Sequence, residues 1–236
     1  MMNDITLENG YTRFYRSFDI HRIYPSEFVV RIFKGSYPRL KLGQEPLRGK
    51  KICDIGCGDG RNIILLHEIG LEVFGTEITP EIVEKVSREL HRINITADIR
   101  VGKNNQLPFP ESSFDFLLSW NSCYYMGIPE NHHSFDQYVS EFSRVLKPGG
   151  RLILSVPMPS CFIFSGSRPF KPGYREITDD PYLIRNGQVF KVFENVQQIE
   201  SEFSTLFTHF VFASIVDDCF GLDNHWFITI CQKRSS

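Results

Sequence analysis

Short apolar runs alternate along this chain with stretches whose apolar positions recur every three or four residues. "KKICDI" (50 to 55), "LEVFGTEI" (71 to 78), "TADIRV" (96 to 101), "SFDFLLSW" (113 to 120) and "RLILSVP" (151 to 157) read as five buried strands. Between them, "RNIILLHEIG" (61 to 70) predicts a helix closed by Gly70, and Thr79 with Pro80 opens another through about Arg92. A third helix spans about Ser134 to Leu146 and stops at "KPGG". Upstream, "YPSEFVVRIF" puts Phe28, Ile32 and Phe33 on one helical face, with Glu27 in the first turn. Near the end, "ENVQQIESEF" (194 to 203) reads as helix. "HFVFASIV" and "HWFITICQ", with little between them, predict an antiparallel hairpin. Strands alternating with helices predict an α/β fold: a parallel sheet covered on both faces, made mixed by the hairpin.

The length of 236 residues suits a single domain, and 42% hydrophobic residues supply an ample core. Lys and Arg number 26 against 28 acidic residues, so the chain lacks the basic footprint of a dedicated nucleic-acid binder. The N-terminal "MMNDITLENGYTRFYRSFD" has no basic stretch followed by an apolar one, and no apolar run is long enough to span a bilayer. The cysteines, at 53, 57, 123, 161, 219 and 231, form no C-x-x-C pair. They read as reduced packing thiols of a cytoplasmic protein, with no metal site.

Chemistry concentrates at "ICDIGCGDGRN", where the first strand breaks into Gly56, Gly58 and Gly60. Three glycines there imply a tight turn or a close approach of backbone to a ligand. Ligands of such sheets bind beyond the carboxyl ends of the strands. A dinucleotide fingerprint would put its third glycine where Arg61 stands, which counts against a nicotinamide-dependent oxidoreductase. The second strand ends at Glu77, and a carboxylate there can accept two hydrogen bonds from adjacent ribose hydroxyls.

With "VFGTEITPEIVEKV", "LPFPESSFDFLLS" and "FSRVLKPGGRLILSVP", this turn resembles the ordered motifs of class I S-adenosylmethionine-dependent methyltransferases over residues 50 to 157. The resemblance implies a Rossmann-like, doubly wound, seven-stranded mixed sheet with an antiparallel last strand. An N-terminal helical extension and a long insertion after strand five would flank it. It divides one domain, 1 to 236, into an N-terminal cap segment (1 to 49), a cofactor-binding core (50 to 157), a substrate-side cover (158 to 193), and a C-terminal helix and strands (194 to 236). S-adenosylmethionine would be the cofactor. Gly56 and Gly58 would let backbone approach its methionine part, with Cys57 and Gly60 in the same turn and Asp54 beneath it. Glu77 would take the ribose, Ile78 the adenine, and Trp120 would complete the site. Lys103 stands where the family usually has an acid for the adenine amino group, so Asn104 or Asn105 would supply a carbonyl oxygen instead.

The acceptor is expected to be a small molecule, a sugar hydroxyl or another metabolite. "SWNS" lacks the two prolines that amino-group methylases carry after the fourth strand. A hydroxyl acceptor calls for a base, with His132, His133 and His21 as candidates. Tyr124 and Tyr125 could wall the acceptor pocket. Residues 11 to 33 and 158 to 193 are expected to cover the sheet's carboxyl edge, with Tyr11, Phe14, Tyr15 and Tyr24 on one side and Phe162, Phe164, Phe170 and Tyr174 on the other. Arg168, Lys171 and Arg175 would give that cover a basic side for an anionic or sugar-phosphate acceptor. The competing role is a non-catalytic cofactor-binding partner of another enzyme.

Overall fold

The apolar runs become the centre of a seven-stranded sheet in the computed structural model, which describes residues 7 to 235. Strands β1 (Lys51–Ile55), β2 (Glu72–Glu77), β3 (Asp98–Val101) and β4 (Phe114–Ser119) pair in parallel. Two short strands follow, β5 (Tyr125–Ile128) and β6 (Asn131–His132), before β7 (Leu146–Pro157) pairs parallel to β4. After β8 (Ser167–Lys171), β9 (Tyr174–Ile177) and β10 (Val189–Lys191), the chain closes with β11 (Phe207–Asp218) and β12 (Asp223–Lys233). These last two form the expected hairpin, and β12 adds antiparallel to β7. The order β11-β12-β7-β4-β1-β2-β3 reverses direction of growth between β1 and β4, which places a ligand crevice at their carboxyl ends.

The helices are α1 (Leu7–Phe14), α2 (Glu27–Lys34), α3 (Arg61–Glu68), α4 (Pro80–Arg92), α5 (Phe135–Val145), α6 (Phe162–Ser165) and α7 (Val196–Phe203). Helix α4 starts where the sequence predicts, because the Thr79 hydroxyl accepts from Ile82 N–H and Pro80 has no N–H to satisfy. In α2 the buried stripe is Val29, Ile32 and Phe33; Phe28 is only half-buried, under the Arg31 guanidinium. The "KPGG" turn is absorbed into β7, which begins at Leu146 rather than at Arg151.

A second sheet, β6-β5-β10-β9-β8, lies outside the pattern read from the sequence and is antiparallel throughout. Its strands have five residues or fewer, Gly127 and Pro169 fall within them and Gly173 in the turn between β8 and β9, so no alternation builds up. Packing defines it instead. Phe190 on β10 lies 4.4 Å from Tyr125, and Tyr124 lies 5.8 Å from Trp226 on β12, which joins the two sheets beside the carboxyl end of β4.

Candidate cofactor and acceptor site

Strand β1 leaves the sheet through Gly56 and Gly58, with φ of 69° and 59°, where a side chain is strained. The turn is tied to the neighbouring strand: Gly56 N–H and Cys57 N–H both donate to Thr76 O at 3.0 Å. A Cβ on Gly56 would lie 2.9 Å from Ser122 Cβ, and one on Gly58 would lie 2.5 Å from the Tyr15 hydroxyl. Gly60 has another task. Its Cβ would meet Val86 of α4 at 2.8 Å, so it lets α3 begin hard against α4.

Glu77, at the end of β2, accepts from Gly58 N–H at 2.7 Å through Oε1 and from Ile78 N–H at 2.9 Å through Oε2. Each oxygen keeps a second lone pair, which is what a pair of ribose hydroxyls needs. Burial pushes its pKa up, and the two backbone donors pull against that shift. Below the turn, Asp54 is pushed up to about 8 by burial first, then by the charges of Glu77 and Asp59. Its Oδ2 is buried with no partner. Asp59 grips Arg61, with Nε at 2.9 and 3.1 Å from its two oxygens, so the fingerprint position for a third glycine holds an ion pair.

This turn floors a cleft of about 650 Å³ that continues toward the second sheet. Of the residues expected to hold a cofactor, Gly56, Cys57, Gly58, Glu77, Ile78, Asn104 and Trp120 line it. Asp54 and Gly60 sit behind the turn, and Asn105 turns to His133 at 3.3 Å. Asn104 Nδ2 donates to Ser122 O at 3.0 Å, so the acceptor it has to offer is its carbonyl oxygen.

The far half is aromatic. Tyr11, Phe14, Tyr124, Tyr125, Phe162, Tyr182 and Trp226 line it, and Tyr15 lies nearer the glycine turn, with its hydroxyl beside Gly58. The Tyr11 and Tyr125 hydroxyls are hydrogen-bonded, and Arg185 Nε donates to the Tyr125 hydroxyl at 3.3 Å. Burial raises the pKa of Tyr11, Tyr15 and Tyr124 well above the ordinary phenol value, so all three stay protonated at neutral pH.

The three histidines do not line the cleft. His132 Nε2 meets Lys171 Nζ at 2.8 Å on the second sheet's outer edge. His133, its pKa lowered by burial and by Lys103 and His132, faces Asn105. His21 is exposed in a short turn whose backbone N–H is held by Asp19. Tyr24 is 76% exposed, away from the cleft. Arg168 is taken by Glu176 at 2.9 Å, Arg175 by the Ser167 hydroxyl at 2.7 Å, and the Tyr174 ring lies under Lys171 and Lys191. Phe164 and Phe170 also pack elsewhere. Conversely, Ser122, Tyr182, Arg185, Asn224 and Trp226 line the cleft with no motif to announce them. An Asp five residues before an Arg is the one trace of the Arg185 ion pair, and that spacing occurs everywhere.

A family model described as "Methyltransferase domain" matches residues 53–154. Over these residues the chain carries a methyltransferase domain. It is 29% identical over 126 residues to a Mycolicibacterium smegmatis protein named "Probable S-adenosylmethionine-dependent methyltransferase", covering 52% of this chain and 44% of that one. It is 33% identical over 128 residues to the 27-O-demethylrifamycin SV methyltransferase of Amycolatopsis mediterranei, covering 50% and 44%. The chain thus spans less than half the length of these curated relatives. A crystal structure of a Pyrococcus horikoshii OT3 protein shares the fold with a TM-score of 0.65 at 21% identity, over 94% of this chain and 99% of that one.

S-adenosylmethionine is the cofactor of the domain, and the residues fit it. The glycine cradle has no room for side chains, Glu77 can serve two hydroxyls, and the unpartnered Asp54 oxygen is a buried polar atom beneath the turn. When bound, the cofactor supplies a methyl group on a cationic sulfur that leaves as a neutral thioether.

Proposed function

We propose that this protein methylates a small-molecule acceptor, at a hydroxyl of a metabolite, using S-adenosylmethionine. The observation that carries this reading is the continuity of the cleft: one cavity has the glycine cradle and Glu77 at one end and a wall of aromatic rings at the other. Methyl transfer needs the acceptor held in line with the methyl and the sulfur, and alignment can itself supply much of the rate. Tyr11, Tyr15, Phe162 and Tyr182 would exclude water around it. The Amycolatopsis relative, whose name denotes a small-molecule acceptor, supports this class. Nucleic acid fits poorly, since Arg168 and Arg175 are committed within the second sheet.

The test has two arms. Calorimetric titration should show S-adenosylhomocysteine binding and no binding of NAD. Incubation with labelled S-adenosylmethionine and a panel of hydroxylated metabolites should then transfer label to at least one. Tight cofactor binding with no transfer across aromatic, aliphatic and sugar acceptors would favour a binding partner over an enzyme.

A further inference from the structure

We propose that Arg185 is the residue that selects the acceptor, and that with the Tyr11–Tyr125 hydroxyl pair it receives a planar ring hydroxyl in its ionised form, a phenolate or an enolate. The proposal rests on the methyltransferase reading and deepens it.

It starts from the groups that could take a proton. Among the described residues, the two carboxylates lining the cleft are both engaged on the cofactor side, Asp59 by Arg61 and Glu77 by two backbone N–H groups. Among the described residues, no histidine lines the cleft. The buried Tyr11 and Tyr124 hold their protons too firmly to act as bases at neutral pH. An aliphatic hydroxyl, about as weak an acid as water itself, has no base here to help it. A ring hydroxyl is different. It starts near 10, as tyrosine does, and an opposite charge within reach lowers such a group by about 1 to 3 units. Its proton can then go to solvent without a protein base.

Arg185 is built to supply that charge. Its side chain is only 15% exposed and its guanidinium lies 5.9 Å from the Phe162 ring and 5.5 Å from the Tyr182 ring. The wholly buried Asp180 fixes it, taking Nη1 at 2.6 Å while accepting the backbone N–H groups of Ile184 and Arg185. Nε is directed to Tyr125. Among the described residues Nη2 has no partner, so its two N–H groups, with the second N–H of Nη1, are the donors left for a ligand. The titratable groups around the guanidinium are Asp180, Tyr11, Tyr124, Tyr125, Tyr182 and Cys161; the one carboxylate among them, Asp180, is spent on Nη1. The rings of Phe162 and Tyr182 lie beside the guanidinium and the Tyr125 ring also lines the cleft, which suits a flat acceptor and gives little to a sugar.

Charge balances in the transfer. The ring oxygen gives a lone pair to the methyl, the pair of the breaking C–S bond stays on sulfur, and anion plus sulfonium become two neutral products.

The test uses 4-nitrophenol, whose anion absorbs in the visible, added to the full chain saturated with S-adenosylhomocysteine. Bound dye should titrate about one unit or more below free dye. Arg185→Met should remove that shift and weaken phenolate binding at least tenfold, with unchanged affinity for S-adenosylhomocysteine and for the uncharged analogue 4-nitroanisole. Should the single exchange strand Asp180 and prevent folding, the pair Asp180→Asn with Arg185→Met removes both charges and carries the same expectation. An unshifted dye in the wild type, or equal losses for dye and anisole, would overturn the proposal. Failure of the wild type to bind S-adenosylhomocysteine would instead sink the methyltransferase reading beneath it.

Discussion

The two ends of the cleft are built in opposite ways. The cofactor end comes from consecutive motifs: Gly56 to Gly58 leave β1, and Glu77 ends the strand beside it, so their meeting follows from one parallel pairing, Ile55 against Thr76. The acceptor end draws Tyr11, Tyr125, Phe162 and Trp226 from four separate elements and Arg185 from a loop, spread over more than two hundred residues. The first end relies on backbone, which any sequence with the right glycines can present. The second relies on side chains whose positions depend on the packing of a small sheet onto a large one. A site made this way can keep its cofactor while its acceptor changes.

The sharpest way to break the comparison is at the backbone. Gly58→Val should reduce S-adenosylhomocysteine affinity at least about 100-fold, because the branched side chain meets the Tyr15 hydroxyl and sits at positive φ, at a strain of order 1 to 3 kcal/mol. Unchanged calorimetric affinity in folded protein would remove this turn from the site. Next comes Glu77→Ala. Loss of its charge-assisted bonds should cost about 2 to 3 kcal/mol, or about 30- to 150-fold in affinity, with the circular dichroism spectrum retained.

Asp54 provides a measurement without ligand. Its folded pKa of about 8 lies above the ordinary 3.8, so from about pH 4 to 8 the native state keeps a proton that the unfolded chain has lost. Stability therefore falls as pH rises through that window. Asp54→Asn should flatten this slope and raise the melting temperature at pH 8 by several degrees, at about 2 to 4 °C per kcal/mol. Identical melting profiles across pH would show that Asp54 is ionised in the fold. The smallest effect belongs to the histidines. His132→Ala and His133→Ala should each change stability by no more than about 0.5 kcal/mol and spare methyl transfer. A loss of about 100-fold in rate, the scale of a missing general base, would move the chemistry out of the cleft described here.

Legibility followed the same divide. Thr79 and Pro80 announce α4 because capping is local chemistry, and the glycine turn with Glu77 is visible because strand ends bring both to one crevice. Asn105 and Asn104 are indistinguishable in sequence, yet only the latter lines the cleft, since the bend between Lys103 and Gln106 sends the two side chains apart. The adjacent histidines were attractive by residue type and position after β4. They lie outside because β5 and β6 fold that stretch into a hairpin, with Gly127 opposite His132. Arg168 and Tyr174 were drawn into the same sheet by Glu176 and the lysine side chains.

What the amino-acid sequence determined by itself is therefore the alternation of strands and helices, the glycine turn with Glu77 beside it, and the methyltransferase pattern of residues 53–154, because each depends on periodicity, capping and backbone freedom over a few tens of residues. The tertiary structure alone decided which aromatic rings face the cleft, that Asp180 holds Arg185 there, and that among the described residues no histidine lines it. Those outcomes depend on how side chains far apart in the chain share buried space, and close packing leaves no local signature to read in advance.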